Sequence, residues 1–142
     1  MGILVVVSES AFTAEHSSLV LVLLEPDDDV RDALEVLLRG QGWLTEVAAS
    51  LDALRQYLAS LTVTAVVSEA RLPGCEAADV LKACQQIDVP VVFTGHDIAV
   101  QDAVDLIRQG AIDYLEKPFS RQRLLNLLNR LTNRHNNSVI SG

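Results

Sequence analysis

The chain has 142 residues, 49% of them hydrophobic, and a formal net charge of −8. That length supports one compact domain, and the apolar content excludes a disordered chain. The negative charge argues against a nucleic-acid footprint, since the eleven Lys and Arg are dispersed apart from a mild cluster at Arg121, Arg123, Arg130 and Arg134. Cys75 and Cys84 stand nine positions apart with no metal-ligand partner spacing and read as a reduced pair. No apolar run reaches the ~18 residues that a membrane span requires. The run Ile3 to Val7 has no positive charge before it, so a secretory signal is not expected. The expected location is the cytoplasm, with no membrane or nucleic-acid partner.

Residues 1–19 read as an N-terminal extension holding that one apolar run and a small polar stretch. Val20 to Leu24 is continuously apolar and of strand length. Asp28 to Gly40 puts Val30, Leu34, Leu37 and Leu38 on one helical face, with Gly40 and Gly42 to stop it. Trp43 to Ala48 reads as a short strand, and Ser50 as the N-cap of a helix burying Leu51, Leu54 and Leu58. Val63 to Val67 is a second apolar run rich in β-branched residues. Ala77 to Gln86 predicts a helix ending before Pro90, followed by a strand at Val91 to Thr94. Ile98 to Gln109 carries Ala103, Val104 and Ile107 at helical spacing, with Gly110 behind it. Ile112 to Leu115 predicts the last strand. Pro118 breaks the chain, Ser120 caps, and Arg121 to Leu131 repeats leucine at 124, 127, 128 and 131. From Thr132 the sequence is polar, and 132–142 reads as a frayed helix end or a linker.

Five strand–helix units in a row, with strands apolar throughout rather than alternating, predict a parallel sheet covered on both faces. Crossovers between parallel strands then place helices on both sides of a doubly wound sheet spanning 20–131. Sites in such sheets lie beyond the carboxyl ends of the strands. The residues there are Glu25, Pro26 and Asp27, then Glu69, then Thr94 and Gly95, then Lys117.

The segment VVFTGHDIAVQDAVDLIRQGAIDYLEKPF, Val91 to Phe119, has a Thr after the fourth strand, a Gly-Ala step, an aromatic three residues before a Lys, and Lys-Pro-Phe. With the RLPG that follows Glu69, it resembles the receiver domains of bacterial two-component response regulators, over roughly Val20 to Leu131. The wording around Thr94 and Lys117 is most similar to receivers attached to transcriptional activators. The resemblance implies a flavodoxin-like (βα)5 fold with phosphoryl transfer from a histidine kinase to an aspartate at the tip of the third strand. It also implies two acidic residues after the first strand that hold Mg²⁺, and a lysine and a hydroxyl that hold the product's oxygens. Carried onto this chain, Glu69 is the phosphoacceptor equivalent and Glu25 with Pro26 takes the acidic pair. Thr94 and Lys117 complete the pocket, and Tyr114 is the rotameric switch position. The resemblance further implies a cis Lys117–Pro118 bond, an output domain, and dimerisation through the fourth helix, fifth strand and fifth helix.

Two departures decide the expected function. Pro26 has no side-chain ligand atom, and Glu69 is one methylene longer than aspartate, a displacement of roughly one carbon–carbon bond. Misplacement on that scale costs on the order of a hundredfold in rate. Asp27 lies close by as a substitute ligand for an acidic pocket with Glu25, yet Asp27, Asp28 and Asp29 most simply complement the dipole of a helix N-terminus. The preferred reading is a non-enzymatic signalling module, phosphorylation-independent, needing no cofactor, and regulating an attached or partner output, transcription above all. Its pocket would be closed by a Glu69–Lys117 ion pair. The alternatives are a Mg²⁺-dependent phosphoacceptor served by a histidine kinase, and a small-ligand sensor using the strand-tip crevice. Tyr114 is equally well a packing tyrosine. His96 reads as a solvated loop histidine, and His16 and His135 carry no signal.

Overall fold

The computed structural model describes residues 19–141, with side chains through Asn137. The expected extension at 1–19, its run Ile3 to Val7 and His16 lie outside the described residues apart from Leu19. Strands β1 (Leu19–Leu24), β2 (Trp43–Val47), β3 (Ala65–Glu69), β4 (Val91–Gly95) and β5 (Asp113–Glu116) alternate with helices α1 (Asp28–Gly40), α2 (Leu51–Ser60), α3 (Ala77–Gln85), α4 (Val100–Arg108) and α5 (Arg121–Ser141). All strand pairs are parallel, in the order β2-β1-β3-β4-β5. That is the doubly wound, flavodoxin-like order, with its switch point between β1 and β3.

β1, β3 and β4 are buried on both faces, which is why they are apolar at consecutive positions, whereas the edge strand β2 alternates buried and exposed residues. Leu21, Leu23, Ala65, Val67, Val92 and Leu115 face α1 and α5, meeting Leu34, Leu38, Leu124 and Leu128. Val22, Leu24, Val66, Val91 and Phe93 face α2, α3 and α4, meeting Leu54, Val80, Leu81 and Leu106. The leucine stripe of α5 is therefore core: Leu124, Leu127, Leu128 and Leu131 are each 2% exposed.

The helix starts use the side chains that the sequence offers. Asp27 accepts from the backbone N–H of Asp29 and Val30 at 3.0 and 3.1 Å, Ser50 Oγ from Ala53 at 3.1 Å, and Ser120 Oγ from Arg123 at 3.1 Å. Gly110 stands behind α4 at φ +119°, a conformation side chains resist.

Three elements differ from the periodicity by more than one residue. β3 begins at Ala65 rather than Val63 and runs on to Glu69, because its ladder is set by β4: Ser68 and Glu69 pair in register with Phe93 and Thr94. α4 begins at Val100, and Ile98 instead packs from the preceding loop against the core. α5 continues past Leu131 to Ser141, since the polar stretch there contains no Gly or Pro to stop a helix. Among the described residues, no helix is long and apolar enough to cross a membrane.

Candidate functional site

β1 and β3 are hydrogen-bonded neighbours at the switch point, so their carboxyl ends bring two carboxylates together. Glu25 follows β1 directly and is 4% exposed; Glu69 ends β3 and is 8% exposed. Lys117 follows β5, its backbone N–H donating to Gly95 O at 2.7 Å, and the Lys117–Pro118 peptide is cis. From there its ammonium reaches both acids: Nζ donates to Glu69 Oε2 at 2.5 Å and to Glu25 Oε1.

Two carboxylates and one ammonium leave a formal −1 in a nearly closed space. Burial disfavours the Lys117 cation, but the hydrogen bonds to Glu25 and Glu69 and their charges outweigh it, so its pKa lies above the ordinary lysine value. The remaining carboxylate oxygens are held by backbone. Asp27 N–H donates to Glu25 Oε2 at 3.1 Å, and Arg71 N–H approaches Glu69 Oε1 at 3.5 Å.

Of the residues singled out from the sequence, Glu25, Glu69 and Lys117 come together. Thr94 lies beside them, 1% exposed and paired in register with Glu69. Asp27 lies close by in the chain, but its carboxylate is occupied as the α1 cap and does not enter the ion cluster. Tyr114 stands one strand further out. Its hydroxyl is buried with no hydrogen-bond partner among the described residues, and burial first, then the charges of Glu116 and Glu69, push its pKa up to about 12. His96 is exposed on the loop after β4, its Nδ1 3.2 Å from Asp97 Oδ2.

Two contributors escaped the sequence reading. Glu25 as a direct partner of Lys117 was legible in principle, because the two chain segments aim at one crevice. Arg71, whose guanidinium donates to Asp97 O at 3.0 Å and ties the β3–α3 loop to the β4–α4 loop, left no signal at all. Beside the cluster opens a cleft of about 750 Å³, walled by α1 through Val30, Leu34 and Leu37 and by Phe119 and Leu124 at the start of α5.

A family model described as the response regulator receiver domain matches residues 21–129. This chain belongs to that family. Among curated relatives, this receiver domain is 34% identical over 108 residues to the transcriptional regulatory protein FixJ of Bradyrhizobium diazoefficiens, covering 73% of this chain and 52% of FixJ. It is also 34% identical over 128 residues to the C4-dicarboxylate transport transcriptional regulatory protein DctD of Pseudomonas aeruginosa, covering 85% of this chain and 27% of DctD. The receiver domain thus spans about half or less of these relatives' length. Among solved structures, NtrX from Brucella abortus in complex with ADP superposes with a TM-score of 0.78 at 23% identity, over 87% of this chain and 29% of that one. At that identity the likeness shows the fold. Receiver domains of response regulators are signalling modules.

The residues at the strand tips do not fit the Mg²⁺ that the family implies. One oxygen of Glu25 and one of Glu69 face the Lys117 ammonium, Pro26 offers no side-chain donor, and the Asp27 carboxylate is committed to α1. Mg²⁺ demands near-octahedral oxygen coordination. Among the described residues, no group of three or more His, Cys, Asp or Glu is placed to hold a metal ion.

Proposed function

We propose that this receiver domain works as a phosphorylation-independent signalling module without enzymatic turnover, regulating an output that is attached to it or recruited by it. The supporting observation is the Glu25–Lys117–Glu69 cluster. The lysine that in the family holds a phosphoryl oxygen is engaged here by two carboxylates from the chain itself. A phosphodonor approaching Glu69 would meet a formal −1 rather than a bridged cation, in a site where water screens charge poorly. A transcriptional output is supported by FixJ and DctD, both transcriptional regulatory proteins by name. The module would act in the cytoplasm and would not itself bind nucleic acid, in keeping with its charge of −8.

A homodimer through α4, β5 and α5 fits this reading. Val100, Val104 and Ile107 form a stripe at helical spacing on α4, 80%, 36% and 41% exposed. The test of the module is direct. Incubation with acetyl phosphate and Mg²⁺ should leave the intact mass unchanged. Stoichiometric labelling that disappears in Glu69→Ala would overturn the proposal and make the chain a phosphoacceptor.

A further inference from the structure

Gly95 ends β4 at an ordinary backbone conformation, with no positive φ that would favour glycine. Its reason is space. A Cβ built there would overlap the hydroxyl oxygen of Tyr114 and lie 2.9 Å from its Cζ and 3.0 Å from its Cε1. Tyr114 pairs in register with Phe93, two residues before Gly95, so its ring lies diagonally across β4 toward the strand tip. The ring packs on the cluster that holds Phe93, Leu106 of α4 and Ala111.

No polar contact explains why the phenol stays there. Its hydroxyl is buried without a partner among the described residues, and such a group gains hydration whenever it swings out. Shape and apolar packing are what remain to hold it. We infer that Gly95 supplies the space that lets Tyr114 lie against the sheet, and that this inward ring sets the shape of the surface between α4 and β5 with no phosphoryl signal. A methyl group at position 95 would force the ring about χ1 into another staggered rotamer, with the hydroxyl passing to water. The inference rests on the proposed function only for its regulatory meaning. Phosphorylation of Glu69 would sink that function and leave the Gly95–Tyr114 contact to be judged separately.

The test labels the full chain with 3-fluorotyrosine. Only Tyr57 and Tyr114 report, and Tyr57→Phe assigns them. The ¹⁹F shift difference between H₂O and D₂O should be small for Tyr114 in the parent. In Gly95→Ala it should rise toward the value of free 3-fluorotyrosine. A folded Gly95→Ala protein with an unchanged isotope shift would overturn the inference. Should Gly95→Ala fail to fold, the same change in a Tyr114→Leu background decides. Recovery of a folded, cooperative protein identifies the ring as the obstacle. An equal loss in both backgrounds assigns Gly95 to something other than Tyr114 and ends the proposal.

Discussion

Glu25 and Glu69 end two neighbouring strands and share one ammonium, that of Lys117, whose Nζ lies 2.5 Å from Glu69 Oε2. The lysine side chain is 15% exposed, and the carboxylate side chains of Glu25 and Glu69 are 2% and 10% exposed. Removing it would strand two nearly buried carboxylates. Lys117→Met should therefore lower the unfolding free energy by about 2–4 kcal/mol, well beyond the ~0–1 kcal/mol of a surface pair. Glu69→Gln, which leaves Glu25 on the lysine, should cost less. Urea titrations of the three proteins check the order. A Lys117→Met protein within about 0.5 kcal/mol of the parent would mean the cluster contributes little.

Lys117 and Tyr114 both hold their protons more tightly in the folded chain. Burial opposes the Lys117 cation but its two carboxylate partners outweigh it, whereas burial itself lifts the Tyr114 phenol to about 12. With a raised folded pKa, the stabilisation is complete below the unfolded value and is lost as pH rises through the folded one. The loss should begin near the ordinary values, 10.0 for tyrosine and 10.5 for lysine, and for the Tyr114 phenol it should continue toward pH about 12. Unfolding free energies measured on either side of pH 10 should fall with pH. The fall should be shallower in Tyr114→Phe and in Lys117→Met. At neutral pH, Tyr114→Phe should be neutral or slightly stabilising, since the hydroxyl it deletes has no partner among the described residues.

Asp27 gives a sharper division between structure and chemistry. Its carboxylate accepts two backbone N–H groups at the start of α1. Asp27→Ala should cost about 1 kcal/mol, the usual value of a lost N-cap, and Asp27→Ser should recover most of it. Neither change should alter the response to millimolar Mg²⁺. A Mg²⁺-dependent stabilisation that Asp27→Ala abolishes would place this carboxylate in a metal site.

The fold was legible because its signals repeat. Five apolar runs and five amphipathic stretches leave little choice but a parallel sheet, and Ser50, Ser120 and Asp27 mark helix starts by chemistry that sequence displays. What was not legible depends on neighbours. The two-residue offset of β3 comes from its pairing with β4, and the course of α5 beyond Leu131 from the lack of a stop rather than from any apolar stripe. At the site, Glu69 and Lys117 could be aimed at one crevice from strand order alone. That Glu25 would take a share of the same ammonium depends on side-chain reach, and that Tyr114 would lie against Gly95 depends on a rotamer. Neither leaves a periodic trace.

Under the proposed function, two residues hold the site out of use. Pro26 withholds a ligand and Glu69 carries its carboxylate one bond too far, about 1.5 Å for a carbon–carbon bond. Restoring either alone corrects one fault: Pro26→Asp adds an oxygen donor while the nucleophile stays misplaced, and Glu69→Asp shortens the nucleophile while the ligand is missing. Shortening should also loosen the bond to Lys117, freeing an ammonium to meet a phosphoryl oxygen. The double variant should therefore gain a phosphoryl mass with acetyl phosphate and Mg²⁺, and each single variant less. Retention of the parent's circular dichroism and unfolding midpoint in the double variant makes a negative result meaningful. A folded double variant that binds Mg²⁺ yet takes no label would show that the barrier lies elsewhere in the crevice, with Thr94 next to be tested.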